Sequence, residues 1–211
     1  MLAIHPSWSL ETPIGQREIL KHIEKCGRTC YKSEAKIDDE SAEQFVRNII
    51  LRGHESVLEH VSLTARIVCD RGVSHEIVRH RIASFSQEST RYCNYSDQRF
   101  GKEISFIIPC FWCNEEKELL YQEWETAVKK AEEAYFRLIQ LGAKPEEART
   151  VLPNSLKTEI VVTMNLREWR HFFLLRTSKA AHPQMREIAI PMLQFFNENI
   201  PVVFEDIINK L

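Results

Sequence analysis

Glycine is scarce in this chain. There are six among 211 residues, at positions 15, 27, 53, 72, 101 and 142, and no two lie within ten residues of each other. Neither GxGxxG nor GxxxxGK[ST] can be written anywhere, so a bound nucleotide would have to be held without a Rossmann or P-loop cradle. Long apolar runs are missing too. The longest candidates, Phe172–Leu175 and Ile188–Phe196, are short or interrupted, which argues against a membrane span. The opening Met1-Leu-Ala-Ile-His-Pro-Ser has neither a basic n-region nor a continuous apolar stretch, so no signal peptide is expected. On that reading the six cysteines are reduced thiols in the cytoplasm. An excess of positive charge is also absent: 28 basic and 30 acidic residues give −2, which disfavours a nucleic-acid-binding or membrane-surface protein while allowing a local basic pocket.

What is present is ordinary globular material, 44% hydrophobic and 27% charged. A chain of this length buries around 70% of its unfolded surface and needs no disulfides. With no repeat, low-complexity tract or Gly/Ser linker, a single domain over residues 1–211 is the expectation. Helical periodicity is clear at Gln16–Cys26, Asp38–Leu51, Leu166–Thr177 and Pro183–Asn199. A long helix is expected over Asn114–Leu141, capped by Asn114, stopped by Gly142 and presenting Leu120, Trp124, Ala127, Ala131, Ala134, Tyr135 and Leu138. Short helices are expected after Pro145, ended by Pro153, and near Phe204–Leu211. Val61–Cys69 alternates like a half-buried strand, and Glu103–Ile108 and Lys157–Met164 are the other strand candidates. Long helices around a small antiparallel sheet, without regular βα alternation, indicate the α+β class.

Chemistry concentrates in Arg79-His-Arg-Ile-Ala-Ser-Phe-Ser-Gln-Glu-Ser-Thr-Arg-Tyr92. Guanidinium forks match phosphate and carboxylate, and hydroxyls add neutral donors. A solvated surface segment is the plain alternative. On a helix Arg79 and Arg81 would lie about 200° apart, which suits two anions, or one bridging chains, better than a simple patch. Metal chemistry fares worse. His54-Glu55 and His75-Glu76 start like HExxH, but the fifth positions are Leu58 and Arg79. Cys110-Phe-Trp-Cys113 is a CxxC without a second tight pair, and its aromatics suggest packing. No metal is expected.

Arg79-His80-Arg81, seven residues, then Ser89 resembles the RHR-x7-S signature of the flavin-dependent thymidylate synthases. His54-Glu-Ser-Val-Leu-Glu-His60, Arg149-Thr-Val-Leu-Pro153, Asn165 and Leu175-Arg176 fall in matching order, so the resemblance covers about residues 50–180. It implies a non-Rossmann fold assembled as a homotetramer with shared active sites. It also implies conversion of deoxyuridylate (dUMP) to thymidylate, with methylene-tetrahydrofolate as carbon donor and FAD, reduced by NADPH, as hydride carrier.

By that resemblance Ser56, near His54, and Arg79, His80, Arg81, Gln87, Asn165, Leu166, Arg167 and His171 contact flavin. Glu76, Ile77, Val78 and Arg79 border the nucleotide. Gln87, Glu88, Ser89, Thr90 and Arg91 hold dUMP from a neighbouring subunit, Arg149 is a second nucleotide-binding arginine, and Arg176 favours uracil ionised at N3. Ser89 is read as a binding hydroxyl, since no partner base is evident. The residues support these roles on their own terms: a dianion and a pyrophosphate need converging donors, and Arg79, Arg81, Arg91, Arg149 and Arg176 supply them. Asn165, with Glu168 three residues on, reads as a capping-box-like helix start that aims N–H groups at a ligand, or as a plain cap. The competing reading is a non-catalytic RNA-binding module with Phe85 and Tyr92 as stacking platforms. A yellow purified protein with a flavin absorption band would discriminate.

Overall fold

Alternation and helical periodicity carry most of the architecture. The computed structural model describes residues 1–97 and 101–211. In order, the elements are β1 (Leu2–Ile4), β2 (Ser7–Leu10), α1 (Gln16–Thr29), α2 (Ser41–Leu51), β3 (Ser62–Asp70), α3 (Arg71–Ile77) and β4 (Ala83–Gln87). Then come β5 (Ser105–Ile107), α4 (Glu118–Gln140), α5 (Pro145–Ala148), β6 (Lys157–Asn165), α6 (Leu166–Arg176), α7 (Pro183–Asn199) and α8 (Pro201–Ile208). The class is α+β with a small antiparallel sheet, as the pattern predicts. Four strands pair in the order β2-β3-β6-β4, and β1 pairs with β5 in parallel, Ala3 opposite Phe106. Among the described residues, no helix is long and apolar enough to cross a membrane.

The chain divides into two compact units. The first comprises Met1–Ser7, Ile67–Arg79 and Ser86–Val161; the second comprises Trp8–Arg66, His80–Phe85 and Val162–Leu211. In the first, Tyr95, Ile104, Phe106, Val128, Tyr135, Ala148 and Leu156 form the core. In the second, Trp169 and Phe173 stack at 5.7 Å, and Phe172, Phe196 and Phe204 close around them. The Trp169 indole N–H donates to the Leu63 carbonyl at 3.1 Å, so the largest side chain there leaves no buried donor unmet. A side chain at Gly27 would strike the Phe45 ring, so glycine lets α1 and α2 approach closely.

Several boundaries move for identifiable reasons. Asp38 folds its carboxylate back over the chain, accepting from the Glu40 and Ser41 N–H groups, so α2 begins at Ser41 rather than Asp38. Asn114 does not cap the long helix: a 3₁₀ turn at Glu115–Lys117 intervenes and α4 starts at Glu118. Val128 and Tyr135 form its buried stripe, flanked by Trp124 and Leu138, whereas Leu120 lies beyond the packed length and is exposed. Gly142, at φ +97°, ends the helix region as expected. The last helix starts at Pro201, whose missing N–H costs nothing in a first turn. The strand β4 and helix α3 were not expected, and together they carry the arginine-rich segment. Arg79 follows the C-terminal turn of α3 and Arg81 precedes β4, so the helical geometry considered for that pair does not apply.

Candidate active site

The residues expected at the nucleotide fall, except Arg176, in the first unit. Asp70 caps α3 by accepting from the Val73 N–H at 2.8 Å, which sets the helix whose end carries Glu76, Ile77, Val78 and Arg79. Ile77 is buried, while Val78 and Arg79 are exposed. The Gln87 amide N–H donates to Ser74 Oγ at 2.9 Å and Thr158 Oγ1 at 3.1 Å. Glu88 is held by Lys157 Nζ at 2.8 Å and the Tyr95 hydroxyl at 3.1 Å, and its N–H donates to the Glu159 carbonyl. Burial, followed by Glu88, pushes the Tyr95 phenol well above its ordinary value, so it stays protonated and donating. With Glu88 pinned, the chain turns tightly: Ser89 O accepts from Tyr92 and Cys93 N–H, and Ser89 Oγ accepts from Arg91 N–H. Arg149 Nη1 donates to the buried Thr90 hydroxyl at 3.1 Å. Arg91 lies over the Tyr92 ring, 5.4 Å from its centroid, and makes a loose, mostly solvated ion pair with Glu146 at 3.5 Å, so its guanidinium is readily diverted to an anion.

Most residues expected at the flavin lie in the second unit; Arg79 and Gln87 are in the first. Asn165 caps α6, its Oδ1 accepting from the Glu168 N–H at 2.8 Å. Leu166 is buried and gives its N–H to the Val61 carbonyl. Of that first turn, the Arg167 N–H is left without a partner among the described residues. Asn165, Arg167 and His171 line a cavity of about 390 Å³ with Glu55, Ile82 and Leu174. Ser56 and His54 line a second, of about 410 Å³, with Tyr31 and Phe45; Glu55 and Arg167 border both. Arg81 is exposed, and its guanidinium meets no acceptor among the described residues; the same holds for Arg79 in the first unit.

Glu168 completes half of the expected capping box. Its N–H is capped, but its side chain turns instead to His80, with Oε1 2.8 Å from Nδ1. Arg176 Nε donates to His80 Nε2 at 3.1 Å. A nitrogen that accepts from a guanidinium carries no proton, so His80 is the neutral Nδ1–H tautomer donating to Glu168. Phe172 and His171 wall it in, with ring centroids at 5.1 and 5.6 Å. His80, Glu168 and His171 bring ligand-type atoms within 4.8 Å of one another, but a guanidinium on the His80 lone pair opposes a cation there. Glu168 was foreseen only as a cap, and its tie to a residue 88 positions away leaves no local signal.

Burial pushes the His80 imidazole below its ordinary value; Arg176 and His171 push the same way, and Glu168 only partly opposes them. Below about pH 6.5 the unfolded chain therefore takes up a proton that the folded site refuses. The contribution to stability is intact above that pH and is lost as pH falls toward the folded value. His80→Gln should flatten the acid decline of the denaturation midpoint below about pH 6.5; an unchanged slope would remove His80 as its source.

The family model described as thymidylate synthase complementing protein matches residues 16–202. Relatives named flavin-dependent thymidylate synthase include that of Geobacter sulfurreducens, 38% identical over 186 residues that span 85% of this chain and 78% of the relative. The Pyrococcus furiosus relative is 38% identical over 169 residues, 80% of this chain and 68% of its own. That of Corynebacterium aurimucosum is 33% identical over 215 residues, 94% and 83% respectively. Matches of this extent, over the same blocks that surround the two cavities and the arginine-rich segment, establish that the chain belongs to the flavin-dependent thymidylate synthase family.

Proposed function

We propose that this chain reductively methylates dUMP to thymidylate, taking the carbon from methylene-tetrahydrofolate and the hydride from FAD reduced by NADPH. The observation that carries the reading is the second-unit cavity with its donors already set. A flavin needs an apolar slot for its ring, donors for the polar edge and cations for the pyrophosphate. Ile82 and Leu174 supply the first, Asn165, the Arg167 N–H and His171 the second, and Arg81 the third, so the residues fit. Ser56, Leu166 through its backbone, Arg79, His80 and Gln87 complete the flavin set. When bound, the flavin supplies hydride transfer. The chain supplies binding and electrostatics. Glu76, Ile77, Val78, Arg79, Arg91 and Arg149 bind and orient dUMP, and Gln87, Glu88, Ser89 and Thr90 shape the turn that presents it. Arg176 stabilises negative charge on the uracil ring, an electrostatic role that needs no nucleophile. The working assembly is a homotetramer in which residues 87–91 of one copy serve dUMP in another.

An assay for thymidylate formed from dUMP, with and without added FAD, tests the reading; no product in either arm overturns it. Replacing Arg81 with alanine should weaken FAD retention by about tenfold, the value of one charge-assisted contact. The flavin-to-protein absorbance ratio after gel filtration reads this directly, and an unchanged ratio would take Arg81 out of the flavin set.

A further inference from the structure

We propose that Tyr95 and Lys157 are positioning residues for dUMP: they close a staple on the Glu88 carboxylate that orders the nucleotide-binding turn before the nucleotide arrives. The proposal deepens the thymidylate synthase reading and rests on it. Glu88 stands where β4 gives way to the turn. Its N–H donates to the Glu159 carbonyl, which carries the pairing of β4 with β6 one residue past Gln87. Its two carboxylate oxygens are then divided. Oε2 receives Lys157 Nζ, from the first residue of β6, at 2.8 Å, and Oε1 receives the Tyr95 hydroxyl, seven residues further along the chain, at 3.1 Å. One largely buried carboxylate thus joins the start of the turn, its far side and the sheet.

Both partners are themselves placed. Asn94 Oδ1 accepts from the Ser96 N–H at 3.1 Å and the Ser96 hydroxyl at 2.7 Å, an Asx turn that reverses the chain beside Tyr95. The Tyr95 ring is buried and meets the Tyr135 ring edge-on at 5.7 Å, so its hydroxyl is anchored from the core of the first unit. A buried phenol stays protonated, and toward a carboxylate it can only donate. Lys157 has a second carboxylate, Glu159, at 3.7 Å. Between the stapled ends lie Ser89, Thr90 and Arg91, the residues that meet dUMP. The consequence falls on affinity rather than on chemistry. A turn that samples several conformations has an apparent Kd equal to its intrinsic one divided by the competent fraction. With the staple open that fraction falls, and the nucleotide has to order the turn as it binds. Once it is bound the same groups face it, so turnover at saturation is kept.

Tyr95→Phe keeps the packed ring and removes the hydroxyl. Calorimetric titration of the FAD-loaded, unreduced protein with dUMP should show about a tenfold weaker Kd, the loss of one hydrogen bond to a charged group. KM should rise alike, with kcat within about twofold and the flavin-to-protein ratio unchanged. Amide hydrogen exchange over residues 86–95 should quicken in the free protein and return to the wild-type rate at saturating dUMP. Lys157→Met should act in the same direction, and Lys157→Arg should recover Kd to within about threefold. In a Glu88→Ala background, Tyr95→Phe should change Kd by less than about twofold, because the staple is already open. Effects that multiply in that background would make Tyr95 a packing residue and end the proposal, as would wild-type affinity in either Tyr95→Phe or Lys157→Met. Should Tyr95→Phe fail to fold, the Lys157 pair decides by the same criteria. A wild-type protein that neither binds dUMP nor makes thymidylate would sink the underlying functional reading, while exchange over residues 86–95 still decides the staple.

Discussion

Replacing Arg176 with alanine is expected to lower thymidylate formation by about 10²–10³-fold in kcat while the protein remains folded. The magnitude is that of removing one preorganised charge from where the opposite charge develops, about 3–4 kcal/mol of barrier. The half-buried hydrogen bond to His80 Nε2 that the substitution removes is worth about 1 kcal/mol, less than the catalytic effect. Activity and stability should therefore separate cleanly. Arg176→Lys keeps the charge but not the planar fork that Nε anchors, and it should recover only part of the loss. Initial rates at saturating dUMP, together with a thermal melt, check both statements; near-normal turnover in the alanine variant would remove the role.

The largest effect on stability is expected at Arg170. Its guanidinium is almost wholly enclosed, pairs end-on through Nη1 and Nη2 with both oxygens of Asp206 at 2.7 and 2.8 Å, and reaches Glu55 at 3.0 Å and the Val203 carbonyl. One side chain thus joins α6, α8 and the 3₁₀ turn at Glu55–His60. Arg170→Ala leaves two carboxylates facing each other without their cation, at a cost of about 3 kcal/mol, the low end for a buried pair because both acids keep some solvent. Burial pushes the Asp206 carboxyl up, but Arg170 outweighs it and holds the group below its ordinary value. The pair's contribution is therefore intact above about pH 4 and fades below it. Urea denaturation at neutral pH should show the fall, and a loss under 1 kcal/mol would mean the network is dispensable. Since Glu55 borders both cavities, the same variant should also hold flavin less well.

Sequence periodicity placed the long elements well because each buries one face. Leu63, Ala65, Ile67 and Cys69 are the inward set of β3, as their alternation predicts, and α7 runs over the expected residues despite Pro191. The short strands β1 and β2 were missed as well, and the misses around the arginine-rich segment share a cause. In α3, Gly72 and Ser74 dilute helical character, and only the Asp70 cap announces it. In β4, the two-residue period of Ala83, Phe85 and Gln87 is hidden among serines that read as a polar loop. At the site, the motif residues were legible by their order, and Asn165 by its capping chemistry. The Glu168–His80 and Arg170–Asp206 partnerships were not, because spacing along a chain does not encode which distant side chains meet.

The hydroxyl of Ser74 gives its proton to the Arg71 carbonyl, so toward Gln87 it can only accept. That one-way bond dictates which end of the amide is nitrogen and leaves the carbonyl oxygen as the end available to an incoming molecule. Whatever meets Gln87 must therefore arrive bearing hydrogen, an imide or a sugar hydroxyl. A bare phosphoryl oxygen would find only repulsion there and be turned toward the arginines.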